Sequence, residues 1–313
     1  MTTIKAIRIH DFSGIDGVRH EDIPLPSPGP GEVRVRIHAA GVNPVDWQLT
    51  QGINQEFLNR TLPTIPGFEV AGVVDALGSG ARHFALGEAV YGHVDFRLDG
   101  AFAEYMLCTE DRLVAKPANL DFVEAAAVPV AALAAWTGLF GEGSAGLHAG
   151  QTVLITAAAG GVGTFAVQFA KWVGARVIAT GSAHNRDFLL GLGADEFVDY
   201  RAGGLAGLPP LDVVLEAVGG DTQLQAVRAL RPGGVLASLV GEQWGSPPLR
   251  DDIRALVVHG GFYPQRLAEI SPLLAGGQVR PVISEVLPLA EAQRAMALSK
   301  TGQVRGKLVL RMI

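Results

Sequence analysis

The sequence of 313 residues contains only one cysteine, Cys108. A single cysteine excludes an intrachain disulfide, a four-cysteine zinc site and a zinc site with two cysteines and two histidines. The sequence also lacks the continuous apolar run of a signal peptide, because residues 1–10 alternate apolar and polar side chains. We therefore expect a cytoplasmic protein.

The sequence has no excess of basic residues and no long hydrophobic run. It carries 25 Lys and Arg against 31 Asp and Glu, a formal net charge of -6, so no basic field is available to hold a nucleic acid. The most apolar stretch, residues 123–140, contains Glu124 and Pro129 and falls short of the roughly 20 apolar residues that span a bilayer. We interpret it as a buried helix, and expect neither a nucleic-acid partner nor a membrane.

The first third of the chain has the pattern of a β-rich unit. Residues 32–38 alternate strictly between apolar and polar side chains, which is typical of a half-buried strand. Similar short runs occur at 4–9, 68–76, 89–92 and 103–108, with glycine and proline between them. Many short strands joined by turns predict a compact β-barrel-like unit.

The pattern changes after about residue 121 to apolar strands that alternate with helix-length segments. Strands are predicted at 152–156, 176–180, 196–200, 211–217, 235–240 and 255–258, and helices at 162–173, 186–192 and 222–230. This alternation predicts an α/β fold with a doubly wound parallel sheet. Two further helices, near 266–274 and 290–298, and a closing strand at 307–312 are predicted in the last part of the chain.

A glycine-rich turn at residues 157–163 follows the first of these strands and opens a helix. In such a turn, Gly160 would let the backbone approach a pyrophosphate, and Gly163 would let the helix pack close to the strand. The free N–H groups and the positive dipole end of the helix favour an anion. The first glycine of the G-x-G-x-x-G pattern is replaced by Ala158. A dinucleotide site is the favoured interpretation, and a turn that only packs helix on strand is the alternative.

The end of the second strand indicates which dinucleotide binds. An NAD site places Asp or Glu about 20 residues beyond the glycines, on the ribose 2′-hydroxyl, but this chain has no carboxylate there. NADPH is therefore favoured over NADH. The residues predicted to contact the cofactor in this region are Thr180, Gly181, Ser182, Asn185, Arg186 and Tyr200. For Arg186 the alternative is an exposed helix residue that contacts only solvent.

Six segments in a fixed order carry a resemblance to a known family. They are 40–46 (AGVNPVD), 66–72 (PGFEVAG), 100–105 (GAFAEY), 157–163 (AAAGGVG), 230–234 (LRPGG) and 305–310 (RGKLVL). With these segments the chain resembles the zinc-independent quinone oxidoreductases, which include zeta-crystallin, in the medium-chain dehydrogenase/reductase superfamily. The resemblance implies a GroES-like domain from 1–121 and 265–313, an NADPH-binding Rossmann domain from 122–264, and an active site in the cleft between them.

The resemblance also implies that the catalytic zinc is lost. In the zinc-dependent branch a cysteine ligand stands at the position of Asn43 and a histidine ligand at that of Phe68, and an amide and a phenyl ring do not make a zinc site. We therefore expect no metal. Asn43 and Asp46 are implied as the catalytic residues, with the Asn43 amide donating a hydrogen bond to the acceptor carbonyl. The alternative is that both side chains only fix the turn around Pro44.

Further contacts are predicted from the glycine-rich turn, from neighbouring loops and from the resemblance. Trp47, Gln48 and His93 are implied substrate contacts, and His93 is also a candidate proton donor, with solvent or a purely structural histidine as the alternatives. The implied cofactor contacts are Ala158, Gly160, Gly161, Val162, Gly163, Val218, Gly219, Leu239, Val240, Gly241, Phe262, Arg305 and Lys307. Ordinary packing and solvated surface charge are the alternatives for these positions.

The leading hypothesis is an NADPH-dependent reductase that transfers hydride to a quinone or an α,β-unsaturated carbonyl. One alternative is a reductase confined to 2-alkenals or enoyl thioesters. The other is a structural or regulatory protein that binds NADPH without turnover. The resemblance further implies a homodimer formed through a sheet edge, for which 255–258 is the candidate strand.

Overall fold

The computed structural model describes residues 2–53, 55–141, 143–240, 250–258 and 264–312. Its strands are β1 (Thr3–Ile9), β2 (Val18–Pro24), β3 (Glu32–Val42), β4 (Glu69–Leu77), β5 (Ala89–His93), β6 (Tyr105–Thr109), β7 (Leu113–Ala115), β8 (Thr152–Ile155), β9 (Arg176–Gly181), β10 (Glu196–Asp199), β11 (Leu211–Glu216), β12 (Leu230–Ser238), β13 (Arg254–Val257), β14 (Ile283–Pro288) and β15 (Lys307–Arg311).

The helices are α1 (Pro44–Thr50), α2 (Gln55–Leu58), α3 (Phe122–Ala126), α4 (Pro129–Leu139), α5 (Gly161–Trp172), α6 (Arg186–Leu192), α7 (Gly220–Ala229), α8 (Pro264–Ala275) and α9 (Ala292–Lys300). None of the helices in the described ranges is long and apolar enough to cross a bilayer.

The described residues divide into two compact units. The first lies within 2–130, 264–277 and 281–312, and the second within 131–258 and 278–280. The first boundary was predicted at 121, whereas the structural division falls at 130, inside α4. The difference arises because α3 packs against β3 and β4 of the first unit.

The first unit is built on a β-sheet of order β14-β15-β3-β4-β5-β7, with β6 paired to β3. Its strand β3 shows why the sequence alternates, because Val33, Val35 and Ile37 are fully buried while Arg36 between them is exposed. Each such buried aliphatic side chain contributes about 2 kcal/mol of hydrophobic stabilisation. The predicted β-rich unit is therefore confirmed.

The second unit is a six-stranded parallel sheet of order β10-β9-β8-β11-β12-β13. The chain starts at the centre with β8, moves outward through β9 and β10, and then returns to build the other half from β11 to β13. This order confirms the predicted doubly wound fold. It also places a topological switch point at the carboxyl ends of β8 and β11, where sheets of this kind bind ligands.

Three local predictions differ from the structure. The helix predicted over 123–140 is divided into α3 and α4, because Pro129 begins a new helix. The helix predicted to end at residue 230 ends at Ala229, and β12 begins at once with Leu230. Strands β2 and β14 were not predicted, because they carry too many charged or exposed residues to form a recognisable alternating apolar pattern.

Candidate active site

The topology of the first unit brings three distant polar residues together. Strand β3 lies between β15 and β4 and runs antiparallel to both. The carboxyl end of β3 therefore meets the amino ends of its two neighbours. Asn43 follows β3, Glu69 begins β4 and Lys307 begins β15. All three side chains are buried in this unit, with Glu69 fully so.

Asn43 is held between an ammonium and a carboxylate. Lys307 Nζ donates to Asn43 Oδ1 at 2.6 Å and to Val42 O at 3.0 Å, and it lies 2.6 Å from Glu69 Oε1. Asn43 Nδ2 donates to the same Glu69 Oε1 at 2.8 Å. Glu69 Oε2 accepts from Val130 N at 2.8 Å. An ammonium can only donate and a carboxylate can only accept, so the chemistry fixes which end of the amide faces which partner.

Asp46 fixes the turn that carries Asn43. Its Oδ2 accepts from the backbone N of Asn43 at 2.7 Å, and its Oδ1 accepts from the backbone N of Gly67 at 2.9 Å. Burial raises the pKa of Asp46 to about 7, although the two backbone N–H groups and the charge of Lys307 favour the ionised form. With both oxygens bound to backbone, Asp46 supports the turn rather than facing a substrate.

The predicted substrate contacts lie in the same unit. Trp47 and Gln48 are half-buried on α1. The Trp47 ring packs against the core, and Lys300 Nζ lies 5.4 Å from its centroid. Burial lowers the pKa of His93 to about 4, and His93 Nδ1 bonds the carbonyl of Val94 at 2.8 Å. His93 is therefore neutral near pH 7, which argues against its predicted role as a proton donor.

The glycine turn of the second unit has the geometry that a dinucleotide requires. A Cβ on Gly163 would lie 2.5 Å from both Ala157 O and Ala158 Cα, so only glycine allows α5 to pack this closely on the turn. A Cβ on Gly160 would meet only Ala157 O, at 3.3 Å. Gly160 is the N-cap of α5, and Gly161 and Val162 are half-buried in its first turn, where helix N–H groups have no intrahelical acceptor. These residues fit a pyrophosphate.

The end of β9 forms a local polar network next to this turn. Thr180 O accepts from Ala158 N at 3.0 Å, and Ser182 Oγ lies 3.3 Å from Asn185 Nδ2. Two of the predicted contacts, Arg186 and Tyr200, are exposed. The Arg186 guanidinium lies 5.9 Å from the ring centroid of Phe197, and Tyr200 OH accepts from Arg201 Nε at 3.2 Å.

One acidic residue near this strand end was not predicted from the sequence. Asp199, the last residue of β10, pairs in register with Gly181, and its Oδ1 accepts from Arg201 N at 3.0 Å. Asp199 ends β10 rather than β9, whereas the sequence pattern of an NAD site places its acidic residue at the end of the second strand, here β9.

A second missed residue lies at the switch point. Glu216, the last residue of β11, is fully buried. It accepts hydrogen bonds from Val218 N at 2.7 Å, Gly219 N at 2.9 Å and Thr156 Oγ1 at 3.3 Å. Val218 and Gly219 are predicted cofactor contacts, and Glu216 thereby holds their loop against the end of β8. An acidic residue directly after the apolar run 213–215 was the available sequence signal.

The remaining predicted cofactor contacts follow β12. Leu239 N donates to Glu216 O at 2.7 Å, and Val240 N lies 3.4 Å from Ser238 Oγ. Both residues are half-buried. Gly241 and Phe262 lie outside the described residues.

Comparisons with known proteins agree with both units. Residues 29–118 match the family model for an alcohol dehydrogenase GroES-like domain, and residues 192–310 match the model for a zinc-binding dehydrogenase. A 2-methylene-furan-3-one reductase of Solanum lycopersicum is 34% identical over 319 residues, covering 98% of this chain and 79% of the relative. The chain belongs to the medium-chain dehydrogenase/reductase superfamily.

Two further members of this superfamily are similar over nearly the whole chain. An NADPH-dependent alkenal/one oxidoreductase, chloroplastic, of Arabidopsis thaliana is 33% identical, covering 98% of this chain and 79% of the relative. The structure of the quinone oxidoreductase from Coxiella burnetii superimposes with a TM-score of 0.91 at 31% identity, covering 100% of each chain.

The zinc ion found in some dehydrogenases of this superfamily does not fit the residues present here. The Asn43 oxygen already binds the Lys307 ammonium, and Phe68, at the second ligand position, is a fully buried phenyl ring. Within the described ranges, no group of three or more His, Cys, Asp and Glu side chains is arranged to hold a metal ion. An ammonium stands where a metal would need a free oxygen donor.

The structure gives Lys307 a different role from the cofactor contact that the resemblance implied. Lys307 is only 4% exposed, and its three N–H donors are matched by the three oxygens of Val42, Asn43 and Glu69. It has no donor left for a phosphate. Arg305, two residues earlier, is exposed.

Proposed function

We propose that this chain is an NADPH-dependent, zinc-independent reductase that transfers hydride to a quinone or an α,β-unsaturated carbonyl. The observation that carries this proposal is the Asn43 amide held between Lys307 and Glu69, because it supplies an oriented hydrogen-bond donor where zinc-dependent relatives use a Lewis acid. The names of the similar proteins, a quinone oxidoreductase and an alkenal/one oxidoreductase, support the acceptor class.

The residues of the first unit need only stabilise the negative charge that develops on the acceptor oxygen. Asn43 has two N–H donors and uses one on Glu69, so the second can bind that oxygen. NADPH, held by the turn at 157–163, supplies the hydride when it is bound. The enolate or hydroquinone anion that results is delocalised and takes its proton from solvent, since His93 is neutral and hydrogen-bonded to backbone.

The preference for NADPH rests on the end of β9. Ser182 provides a hydroxyl there, and Asn185 Nδ2 lies 3.3 Å from that hydroxyl. The carboxylate of Asp199 next to Gly181 acts in the opposite direction, because it would repel a 2′-phosphate. We expect NADPH to bind more tightly than NADH. The ratio of the two dissociation constants measures whether the polar groups of Ser182 and Asn185 or the carboxylate of Asp199 has the larger effect.

The test follows NADPH and NADH oxidation by absorbance in the presence of a metal chelator. The acceptors are 1,4-benzoquinone, 9,10-phenanthrenequinone, an alkyl enone, a 2-alkenal, an enoyl thioester and a simple aldehyde. Turnover of a quinone or enone that the chelator leaves unchanged supports the proposal. Turnover of only the 2-alkenal or thioester selects the narrower reductase, and tight NADPH binding without any turnover selects the non-catalytic alternative.

We also propose that the chain forms a homodimer through β13 and acts in the cytoplasm. Strand β13 ends the order of the described six-stranded sheet, and three of its four residues are exposed, including Val257 at 40%. An exposed edge strand with apolar side chains favours pairing with a second copy. Light scattering at micromolar concentration should give twice the mass of one chain, and a mass near 32.8 kDa would contradict the dimer.

A further inference from the structure

The orientation of the Asn43 amide is decided by two residues far from it in sequence. Lys307 comes from β15 and Glu69 from β4, and each contacts a different end of the same amide. The second oxygen of Glu69 is bound to Val130 N, so the carboxylate itself is held at both ends. An exchange of the amide oxygen and nitrogen would put two donors together and two acceptors together.

We propose that Lys307 and Glu69 are positioning residues that hold the Asn43 amide in one orientation, with one N–H left free for the acceptor oxygen. This inference rests on the proposed function, in which that N–H stabilises the developing charge. Neither residue is a catalytic residue, because each acts through Asn43.

The burial of the pair argues for a role beyond ordinary stability. The side chains of Lys307 and Glu69 are 4% and 0% exposed, and burying two charges costs free energy that an apolar pair of similar volume would not. What a charged pair provides and an apolar pair cannot is a fixed direction for the amide between them. A donor fixed before the reaction needs no reorientation as charge develops.

The first arm of the test is independent of activity. The chain has five asparagines, Asn43, Asn54, Asn59, Asn119 and Asn185, so selective ¹⁵N labelling gives five side-chain amide signals. Loss of one signal in Asn43→Ser assigns it. We expect the Asn43 amide to rotate and exchange with solvent at least about 10-fold more slowly than the amide of the exposed Asn59 in the wild-type protein.

The variants then ask which residues fix the amide. Lys307→Met leaves a buried unpaired carboxylate and loses stability, so Lys307→Met/Glu69→Gln, which removes both charges together, is made as well. In both variants we expect the Asn43 amide to rotate faster than in the wild type, at a rate closer to that of the Asn59 amide. Lys5→Met is the matched control, because it removes a lysine from the exposed ion pair with Asp22. The control should leave the Asn43 signal unchanged.

The second arm is a kinetic cycle with Asn43→Ala. Removing both charges should lower kcat at least about 10-fold and leave the dissociation constant of NADPH unchanged. Adding the same changes to Asn43→Ala should cause no further loss of kcat, because the pair acts through the amide. A purely structural pair would lower kcat by the same factor in both backgrounds.

The outcomes separate this inference from the proposed function. A wild-type Asn43 amide that rotates as fast as that of Asn59 overturns the inference, as does an Asn43 signal unchanged in the folded variants or equal losses of kcat in both backgrounds. If the wild-type protein reduces none of the quinones or enones, the proposed function fails while the amide signals still decide whether the pair fixes Asn43.

Discussion

Replacing Gly163 by alanine tests the packing of the cofactor turn most directly. The added Cβ would lie 2.5 Å from Ala157 O and Ala158 Cα and 2.6 Å from Ala158 O. All three are backbone atoms, so no side chain can rotate away. The first turn of α5 must move by about 1 Å to reach ordinary van der Waals distance.

The expected magnitude follows from two opposing effects. Overpacking a buried site costs about 1–3 kcal/mol, while alanine gains up to about 1 kcal/mol over glycine in a helix. We therefore expect Gly163→Ala to lose about 1–2 kcal/mol in the free energy of unfolding. The control is Gly191→Ala in α6, where a Cβ would meet nothing within 4 Å, and this variant should gain up to about 1 kcal/mol.

A third variant separates packing from cofactor binding. A Cβ on Gly160 has one contact, with Ala157 O at 3.3 Å, so Gly160→Ala should change the free energy of unfolding by less than about 1 kcal/mol. If a pyrophosphate approaches the backbone there, the same variant should weaken NADPH binding at least about 10-fold.

Urea unfolding and NADPH fluorescence titration measure the two quantities. Gly163→Ala as stable as Gly191→Ala would refute the packing argument. Gly160→Ala that binds NADPH as the wild type does would refute the assignment of the turn as a pyrophosphate site.

Three further predictions concern the first unit. The raised pKa of Asp46 lets the folded protein keep a proton that the unfolded chain releases above about pH 4, so the contribution of Asp46 to the free energy of unfolding should fall by about 1.4 kcal/mol per pH unit up to about pH 7. Urea unfolding of the wild type and Asp46→Asn at pH 5 and 8 measures this fall as the change in the difference between the two proteins. A difference that stays constant between the two pH values would contradict the prediction. Gly41→Ala puts a Cβ onto Glu69 Oε1 and 2.6 Å from Ala126 O, so it should lose about 2 kcal/mol or more in urea unfolding, and a neutral result would contradict the close approach. His93→Gln should leave the pH profile of kcat between pH 6 and 8 unchanged, because the pKa of His93 is about 4. If a pH-dependent change in kcat within that range is present in the wild type and absent from the variant, His93 is a proton donor after all.

The sequence predicts those parts of the fold that depend on local pattern. The alternation at 32–38 gave β3, and the apolar runs with helix-length spacers gave the parallel sheet around β8. The close packing at Gly163 could also be predicted from the sequence, because this glycine lies at a fixed number of residues after the end of a strand.

The parts that could not be predicted depend on contacts across the chain. Asn43 and Lys307 are 264 positions apart and meet only because β15 pairs with β3. Without that pairing, a lysine at the start of a strand reads as a solvated charge or a phosphate ligand, and Lys307 was assigned accordingly. The burial that makes His93 neutral is likewise a property of the folded unit, because no residue next to it in sequence signals a pKa near 4.

We propose that the Asn43 amide stabilises charge on the acceptor in place of a metal. Single-turnover oxidation of bound NADPH by excess quinone or enone, in wild type and Asn43→Ala, measures this contribution. We predict that Asn43→Ala slows the step about 100-fold with NADPH affinity unchanged, while the exposed control Asn119→Ala matches the wild type. Equal rates in wild type and Asn43→Ala would contradict this role of Asn43.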